Sequence, residues 1–438
     1  MRLRSRIILL VTLFLSFTIS AANLGHFEEE VYIPDTKQLK YFLNHPDFII
    51  DHVSTDGFEL YGPAGLQKYL NVLRVPYEAY RHRHHKKALD YPTFSQMEKK
   101  LKQLAKQYPQ IAKLSSVGTS VDGRSLYVMK ISDNVSVDEI EPEFKYISSM
   151  HGDEITGREL CVFLIEDLLK NYGKDQTITA LVNSTEIFIM PSMNPDGSAR
   201  TQRANANGYD LNRNFPDWKR GDANQIQKQQ PETKAVMQFQ ASRKFSLSAN
   251  FHGGAVVVNY PWDNTYERHP LDHLVQSISL SYAYLNSEMR NSKEFPRGIT
   301  NGADWYKVYG GMQDWSYFWY GDLQVTVELS EEKWPSYKKI PSYYQKNKSS
   351  MMKYLSLIHQ GIGFYFEDFH QKGRVEIFHK NGTSLETVGE FVFGDSEFYK
   401  VLPIGEYRIQ IKRNGYSTIT RDLVVDDQIH PDGNFLKL

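Results

Sequence analysis

The stretch Phe144-Lys-Tyr-Ile-Ser-Ser-Met-His151-Gly-Asp-Glu154 runs from a β-rich segment directly into a histidine and a glutamate. Further along the chain, Phe251-His252-Gly-Gly follows another β-rich segment and supplies a second histidine. Two imidazoles and one carboxylate are the ligand set that leaves one position of a zinc ion open for water. The sequence therefore predicts a metal site at the ends of strands, and one that takes part in chemistry.

The cysteine content narrows the kind of metal site. Structural zinc sites are closed by four protein ligands, often thiolates, and this chain has a single cysteine, Cys161. Cys161 lies in an apolar, helix-like run, where we expect a small buried hydrophobic residue and not a ligand. An H-x-x-E pair is common by chance, so the prediction of a metal site depends on the motifs around it.

The length and net charge of the chain limit the number of domains and the kinds of partner that we expect. A chain of 438 residues is expected to form about two or three domains. Its 41% of hydrophobic residues is enough for packed cores. The net charge of −1 argues against nucleic acid, or an anionic membrane surface, as the main partner.

The N-terminus resembles an export signal. A basic start at residues 1–6 precedes an apolar run at 7–19, and Ser20-Ala21-Ala22 offers small residues for cleavage. The apolar run is too short to span a bilayer comfortably. We expect residues 1–22 to be a signal peptide and the protein to be exported, periplasmic or secreted, with no stable membrane anchor. An uncleaved anchor is the alternative.

Residues 23–88 form the first segment after this signal. Its strand and helix signals follow the order β-α-β-β-α-β, which is the split βαβ arrangement. The segment ends in Arg81-His-Arg-His-His-Lys-Lys87. This basic tract has three interpretations: a solvated linker, a cleavage site for a maturation protease, or a metal site made by its histidines. The last lacks a fixed geometry.

Two further segments follow. Residues 91–361 alternate β-rich runs with helical stretches, which predicts an α/β fold with a large mixed sheet covered by helices. In this segment Ser95-Gln-Met-Glu98 is interpreted as a capping box, and Asp122-Gly123 as a hairpin turn. Residues 362–438 contain short strands at close spacing, punctuated by turn residues, and predict a small C-terminal β-sandwich.

Several polar residues of the second segment are candidates for chemistry. Arg213 can grip a carboxylate through two parallel N–H donors, with Asn212 beside it, and Arg203 can serve a second anion. Glu328 interrupts an apolar β run, as a general base would, and Tyr306 lies in a glycine-rich stretch able to move. The alternatives are surface salt bridges for the arginines, a solvent-facing Glu328, and ordinary packing for Tyr306.

An ordered series of motifs resembles the M14 zinc carboxypeptidases, and most closely their regulatory N/E/D/M branch. The motifs are H-x-x-E, N-P-D-G, D-L-N-R-N-F-P-D, H-G-G, W-Y, G-G-M-Q-D-W and V-E-L-S. They run in one order through nearly the whole second segment. The third segment is similar to the transthyretin-like domain of that branch. The first looks like the activation segments that cover the cleft in other members, a match that rests on the order of elements.

The resemblance implies a role for each candidate residue. One zinc ion would be held by three ligands: His151, Glu154 and His252. Glu328 would be the general base, and Arg203 would hold the oxyanion with the metal. Asn212 and Arg213 would hold the substrate's terminal carboxylate, and Tyr306 would cap the bound residue. The implied protein is a metallocarboxypeptidase, made as a zymogen, that acts on the C-termini of peptides or proteins.

One departure from the family pattern concerns the specificity pocket. Basic-specific members have an acidic residue directly after H-G-G, where this chain has Ala255, although Gln313 of the same pocket is kept. A pocket without negative charge compensates a lysine or arginine poorly, so strict basic specificity is not expected. Asp263 and Asp304 are the nearest acidic residues in the sequence. The alternative functions are a peptidoglycan stem-peptide amidase and a non-catalytic binding module.

Overall fold

The computed structural model describes residues 25–45, 47–79, 90–367, 372–394, 396–431 and 434–438. The expected signal peptide at 1–22 and the basic tract from Arg81 to Lys87 lie outside the described residues. Among the helices that are described, none combines the length and the apolar character needed to cross a membrane.

An N-terminal α+β unit begins the described chain. Its elements follow the predicted order β-α-β-β-α-β, and they are β1 Glu29–Ile33, α1 Leu39–Leu43, β2 Ile49–Ser54, β3 Gly57–Gly62, α2 Leu66–Leu73 and β4 Glu78–Ala79. The strands pair antiparallel in the order β2-β3-β1-β4, so β2 is an edge strand. Alternate residues of β1 and β3 pack on α2 to form a small core of their own.

The central unit is a mixed sheet covered by helices, as the sequence predicts. Its strands are β5 Ala112–Thr119, β6 Ser125–Ile131, β7 Glu143–Ser148, β8 Glu186–Met190, β9 Phe245–His252, β10 Ala255–Tyr260, β11 Ile299–Asn301 and β12 Leu323–Ser330. Within the described residues they form one eight-stranded sheet in the order β11-β10-β12-β9-β7-β8-β6-β5.

Helices cover both faces of this sheet. They are α3 Phe94–Gln107, α4 Thr156–Asn171, α5 Gln176–Val182, α6 Pro195–Arg200, α7 Pro231–Ala241, α8 Asp272–Leu285, α9 Ser287–Arg290, α10 Gly302–Trp305, α11 Met312–Tyr320 and α12 Ile340–Ser356. The central strands β7, β8, β9 and β10 are buried along their whole length. Strands covered on both faces have continuous apolar runs, which explains the mainly apolar sequences of β8 and β10, whereas β9 alternates apolar and polar residues although it is buried.

The capping box of α3 differs from the expected one. Thr93 and Gln96 make the reciprocal hydrogen bonds, because Thr93 Oγ1 accepts from Gln96 N and Gln96 Oε1 accepts from Thr93 N. The predicted pair, Ser95 and Glu98, therefore lies inside the helix. The N-cap, Thr93, lies two residues before the predicted cap, Ser95, and both patterns satisfy the same sequence rule.

The C-terminal unit is a β-sandwich of two small sheets. Its strands are β13 Gly361–Tyr365, β14 Gly373–Asn381, β15 Ser384–Phe393, β16 Glu397–Val401, β17 Gly405–Arg413, β18 Ile419–Val425 and β19 Phe435–Lys437. The sheet orders are β16-β13-β19 and β15-β14-β17-β18. Inward-facing residues of both sheets, such as Phe364, Val375 and Ile409, form one core.

The topology of the central sheet brings three predicted site residues to one edge. β7 pairs parallel with β9, and β9 pairs parallel with β12. The carboxyl ends of these strands therefore meet at the same edge. His151 follows β7, His252 ends β9, and Glu328 lies near the end of β12.

Candidate metal centre and cleft

The three predicted metal ligands converge in the structure. His151, Glu154 and His252 are all buried, and each offers one ligand atom to a group whose members lie within 4.8 Å of one another. His151 Nδ1 lies 3.0 Å from Glu154 Oε1, and His252 Nδ1 lies 2.8 Å from Glu154 Oε2. The Nδ1 atoms of the two histidines are 3.0 Å apart.

These distances fit a tetrahedral zinc ion. Bonds of about 2.0–2.1 Å place neighbouring ligand atoms about 3.3 Å apart, close to the spacing found here. The other nitrogen of His151, Nε2, lies 3.0 Å from Asp210 Oδ1. A carboxylate on the far side of a ligating imidazole fixes its tautomer and orientation. The donor set and its outer partner are therefore those of a zinc site.

A close approach of two backbone segments shapes the ligand loop. Gly152, between His151 and Glu154, has no room for a side chain, because a Cβ there would lie 2.1 Å from the carbonyl carbon of Gly197. The side chain of Asn194 stabilises this contact, because it donates hydrogen bonds to the carbonyl oxygens of Met150 and Arg203. The N-P-D-G motif thus supports the metal ligands.

Glu328 faces the metal ligands and not bulk solvent. Its strand places it opposite His252 on β9 and Val257 on β10. The side chain is partly buried, and Oε2 is shielded with no hydrogen-bond partner among the described residues. Burial, with the charges of Glu154 and Asp51, raises the pKa of Glu328 well above its ordinary value. A bound cation would favour the ionised form.

Arg203 is a buried arginine that links the metal ligands to the rest of the cleft. Its Nε donates to Asp210 Oδ2 at 2.9 Å, and its Nη1 lies 3.3 Å from Glu154 Oε1. Asp210 therefore contacts both His151 and Arg203. The expectation of a surface salt bridge does not hold for this arginine, which is 2% exposed.

Of the residues expected to bind the end of a substrate, Arg213 and Tyr306 are occupied by the N-terminal unit. Arg213 Nη2 donates to the carbonyl oxygen of Ile50 at 2.9 Å. The hydroxyl of Tyr306 donates to Asp51 Oδ1 at 3.0 Å. Asn212 Oδ1 accepts from the backbone N–H of Met312. β2 thus runs through the cleft with its edge facing these groups.

The floor of the predicted specificity pocket contains an acidic residue. Gln313 Nε2 donates to Asp263 Oδ1 at 2.7 Å, and Gln313 Oε1 accepts from Thr326 Oγ1 at 3.0 Å. Asn259 also donates to Asp263 Oδ1. Ala255 lies on the same face of β10 as Asn259, four residues closer to His252 in the chain, and it packs beside Phe295. The expectation of a pocket without negative charge was based on Ala255, and Asp263 places a carboxyl group beside Gln313.

Asp263 forms no ion pair in the described part of the chain, although the charge of Arg213 acts on it. Its carboxyl is buried, and burial raises its pKa to about 7, although hydrogen bonds from Asn259 and Gln313 and the charge of Arg213 act in the opposite direction. Asp304, the other acidic candidate, is exposed and pairs with Arg268 at 2.8 Å. Asp263 is therefore the acidic group associated with Gln313.

Two residues of the cleft were not predicted from the sequence. Lys333 Nζ lies 2.8 Å from both Asp51 Oδ2 and Glu59 Oε2, and 3.9 Å from Glu154 Oε1. Asp51 also accepts from Arg203 Nη1 at 2.5 Å. Lys333 follows the V-E-L-S motif by three residues, and this proximity could have indicated that it lies near the cleft. Asp51 had no signal, because its partners are remote in the chain.

Known proteins share this sequence pattern and fold. Residues 97–350 match the zinc carboxypeptidase family, Peptidase_M14. Carboxypeptidase D of Homo sapiens is 42% identical over 374 residues, covering 79% of this chain and 26% of that protein. Carboxypeptidase M of Mus musculus is 38% identical, covering 78% and 83%. The carboxypeptidase N catalytic chain of Mus musculus is 35% identical, with the same coverage.

Solved structures show the same fold at low identity. Thrombin activatable fibrinolysis inhibitor aligns with a TM-score of 0.57 at 16% identity, covering 76% of this chain and 99% of that one. Carboxypeptidase A from Helicoverpa armigera aligns with a TM-score of 0.59 at 18% identity, covering 77% and 98%.

The chain belongs to the zinc carboxypeptidase family, and its similar relatives include members of the regulatory branch. Zinc is the cofactor of this family, and the group formed by His151, Glu154 and His252 is the candidate site for it. The chain spans 26% of the length of the carboxypeptidase D relative from Homo sapiens.

Proposed function

We propose that the protein is an exported zinc metallocarboxypeptidase that removes the C-terminal residue from peptides or proteins. The observation that carries this proposal is the convergence at one cleft of the candidate zinc ligands, of Glu328, whose Oε2 has no hydrogen-bond partner among the described residues, and of Arg213. When bound, zinc activates water and polarises the scissile carbonyl. Glu328 accepts the proton of the attacking water and delivers it to the leaving amine.

The remaining cleft residues bind and orient the substrate. Arg203 donates hydrogen bonds to the oxyanion that develops on the scissile carbonyl. Arg213 and Asn212 hold the terminal carboxylate, and Tyr306 covers the bound residue. In the structure Ile50 and Asp51 occupy Arg203, Arg213 and Tyr306, which supports their assignment because a peptide carbonyl and a carboxylate already bind there.

The pocket favours a cationic C-terminal side chain without being restricted to one. Asp263 and Gln313 offer a carboxylate and a neutral amide at the pocket floor. Ala255 contributes a small apolar wall. Because the pKa of Asp263 is about 7, the carboxyl is partly protonated near neutral pH, so lysine or arginine is preferred and neutral residues are tolerated.

The domain boundaries carry a regulatory proposal. Residues 23–88 form an activation segment that holds the enzyme latent, residues 91–361 form the catalytic domain, and residues 362–438 form a transthyretin-like domain. A maturation protease cleaves within Arg81 to Lys87. The contacts of Asp51 and Ile50 with cleft residues support this, since they block the substrate's position.

Peptides with a free or an amidated C-terminus test the activity. The exported chain, before and after cleavage within the basic tract, is assayed with and without a zinc chelator. We expect release of single C-terminal residues that requires both zinc and a free carboxylate, and that rises after cleavage. Activity on muropeptides alone, or peptide binding that needs neither zinc nor a free carboxylate, would contradict the proposal.

A further inference from the structure

A lysine of the C-terminal β-sandwich reaches into the central unit. Lys400, on β16, is 4% exposed. Its Nζ lies 4.7 Å from the ring centre of Tyr317 and 4.8 Å from that of Phe391. It also donates to the carbonyl oxygen of Gly321 at 3.3 Å. No carboxylate forms an ion pair with it in the part of the chain that the structure describes. Two ring faces and a backbone carbonyl surround its charge, and the carboxylate of Asp322 attracts it without direct contact.

Two of these contacts, with Tyr317 and Gly321, fall at the last turn of α11. Tyr317 is in this helix, and Gly321 directly follows it and donates its N–H to Tyr317 O at 2.8 Å. A cation near the carboxyl end of a helix interacts favourably with the helix dipole and its unpaired carbonyls. Contact with an aromatic face adds attraction when the cation is desolvated. Lys400 therefore stabilises the position of the end of α11.

The first turn of the same helix holds the pocket floor. Gln313 donates to Asp263 Oδ1, and Asp314 accepts from the backbone N–H of Asp263 at 2.9 Å. Gln313 lies one helical turn before Tyr317. The position of Asp263 thus depends directly on α11, through one side-chain and one backbone contact.

A cluster of aromatic rings in edge-to-face contact provides a second connection between Lys400 and Asp263. The ring of Tyr317 lies 4.0 Å from that of His269 and 5.6 Å from that of Trp262, centre to centre. Trp262 immediately precedes Asp263 in the chain. Lys400 contacts the Tyr317 ring of this aromatic cluster. Lys400 is therefore connected to Asp263 both through α11 and through the aromatic cluster.

We propose that Lys400 is a positioning residue for the specificity pocket, through which the C-terminal β-sandwich sets the selectivity of the cleft for the C-terminal side chain. This inference rests on the proposed carboxypeptidase function. Lys400 touches neither the metal ligands nor the substrate. It influences the positions of Gln313 and Asp263 through α11 and through the aromatic cluster of Tyr317, His269 and Trp262.

A second contact across the same interface supplies a matched control. Lys244 Nζ lies 2.9 Å from Glu397 Oε1, also on β16. Lys244 precedes β9 at the end of that strand remote from His252, and it does not contact α11. Loss of the Lys244 pair tests general attachment of the β-sandwich, whereas loss of Lys400 tests attachment and pocket position together.

The experiment compares Lys400→Met and Glu397→Gln in the full chain, cleaved within the basic tract. kcat and KM are measured on peptides that differ only in a C-terminal Lys or Leu. For Lys400→Met we expect the Lys-over-Leu ratio of kcat/KM to fall about fivefold, mainly through KM for the Lys peptide, a change that one desolvated cation–π contact can support. Glu397→Gln should leave the ratio unchanged, and Lys400→Arg should restore most of it.

The outcomes separate this inference from the proposed function. An unchanged ratio in an active, folded Lys400→Met protein overturns the role of Lys400. Equal changes in Lys400→Met and Glu397→Gln also overturn it, because the interface would then act only by attachment. If Lys400→Met does not fold, Tyr317→Leu, which removes the ring but keeps the helix, should lower the same ratio. A wild-type chain without carboxypeptidase activity instead refutes the proposed function.

Discussion

Asp51 Oδ2, on the edge strand of the N-terminal unit, accepts a hydrogen bond of 2.5 Å from Arg203 Nη1, beside the metal ligands. Burial alone would raise the pKa of Asp51, but the charges of Arg203 and Lys333 hold it well below its ordinary value. A bulge in the pairing of β2 with β3 after Asp51, with His52 at a positive φ of 50°, accompanies this arrangement. One carboxylate thus satisfies two buried cations of the cleft.

Replacing Asp51 should relieve latency. Asp51→Asn keeps the shape of the side chain but removes its charge, so Arg203 and Lys333 lose their shared partner. Breaking a buried ion pair from one side typically costs about 3–5 kcal/mol, and most of this cost falls on the closed arrangement. We expect the uncleaved chain to gain activity at least tenfold, a lower bound because about 3–5 kcal/mol corresponds to more than a hundredfold in an equilibrium constant. Initial rates on a free-C-terminus peptide measure it.

Asp56→Asn is the matched control for this latency test. Asp56 is exposed in the turn between β2 and β3, and its backbone N–H is bonded to Ser54. Its replacement should leave the uncleaved chain as inactive as the wild type. Equal rates for uncleaved and cleaved wild-type protein would show that residues 25–79 are a fixed accessory unit and not a cover.

Removing the general base should abolish turnover but not metal binding. Glu328→Gln cannot accept the proton of water, and general-base removal typically costs about 10²–10⁴-fold in rate. Glu331→Gln, an exposed change three residues later, is the control. Bound zinc by metal analysis and kcat on one peptide are measured on both proteins. A zinc-loaded Glu328→Gln protein with near-normal kcat would exclude Glu328 from the mechanism.

The ligand set and the fold were predictable because both depend on local patterns. H-x-x-E and H-G-G each follow a strand, and parallel pairing brings strand ends to one edge, so His151, Glu154 and His252 meet without any long-range information. The β-α-β-β-α-β order of the first segment likewise follows from short hydrophobic runs and turns.

The electrostatics of the cleft were not predictable in this way. Asp51 lies 152 residues before Arg203 in the chain, and no local pattern distinguishes it from a surface aspartate. Asp263 and Gln313 are separated by 50 residues. Attention to Ala255, next to the metal motif, missed Asp263, which follows β10 eight residues after Ala255 and lies beside Gln313. Which of these carboxylates is buried, and beside which partner, depends on the three-dimensional packing and not on the local sequence.

Weakening the carboxylate clamp should discriminate between substrates. Arg213→Ala removes the donor that would hold a free C-terminus, so KM for free peptides should rise while the slow cleavage of amidated peptides changes little. Arg213→Lys should rescue partly, because a lysine retains the charge but not the planar fork. Arg220→Ala, an exposed neighbour, is the control. Equal losses on free and amidated peptides would show that Arg213 supports the structure of the loop.

The selectivity of the pocket should depend on pH through Asp263. Burial raises the pKa of this carboxyl to about 7, so the group is protonated below that pH and charged above it. The ionised fraction of such a group rises about tenfold from pH 6 to pH 8, and only the ionised form attracts a cationic side chain. The Lys-over-Leu ratio of kcat/KM should therefore rise over this range, while titrations common to both peptides cancel. Asp263→Asn should give a low, flat ratio, and a persistent rise in that variant would assign the pH dependence to another group.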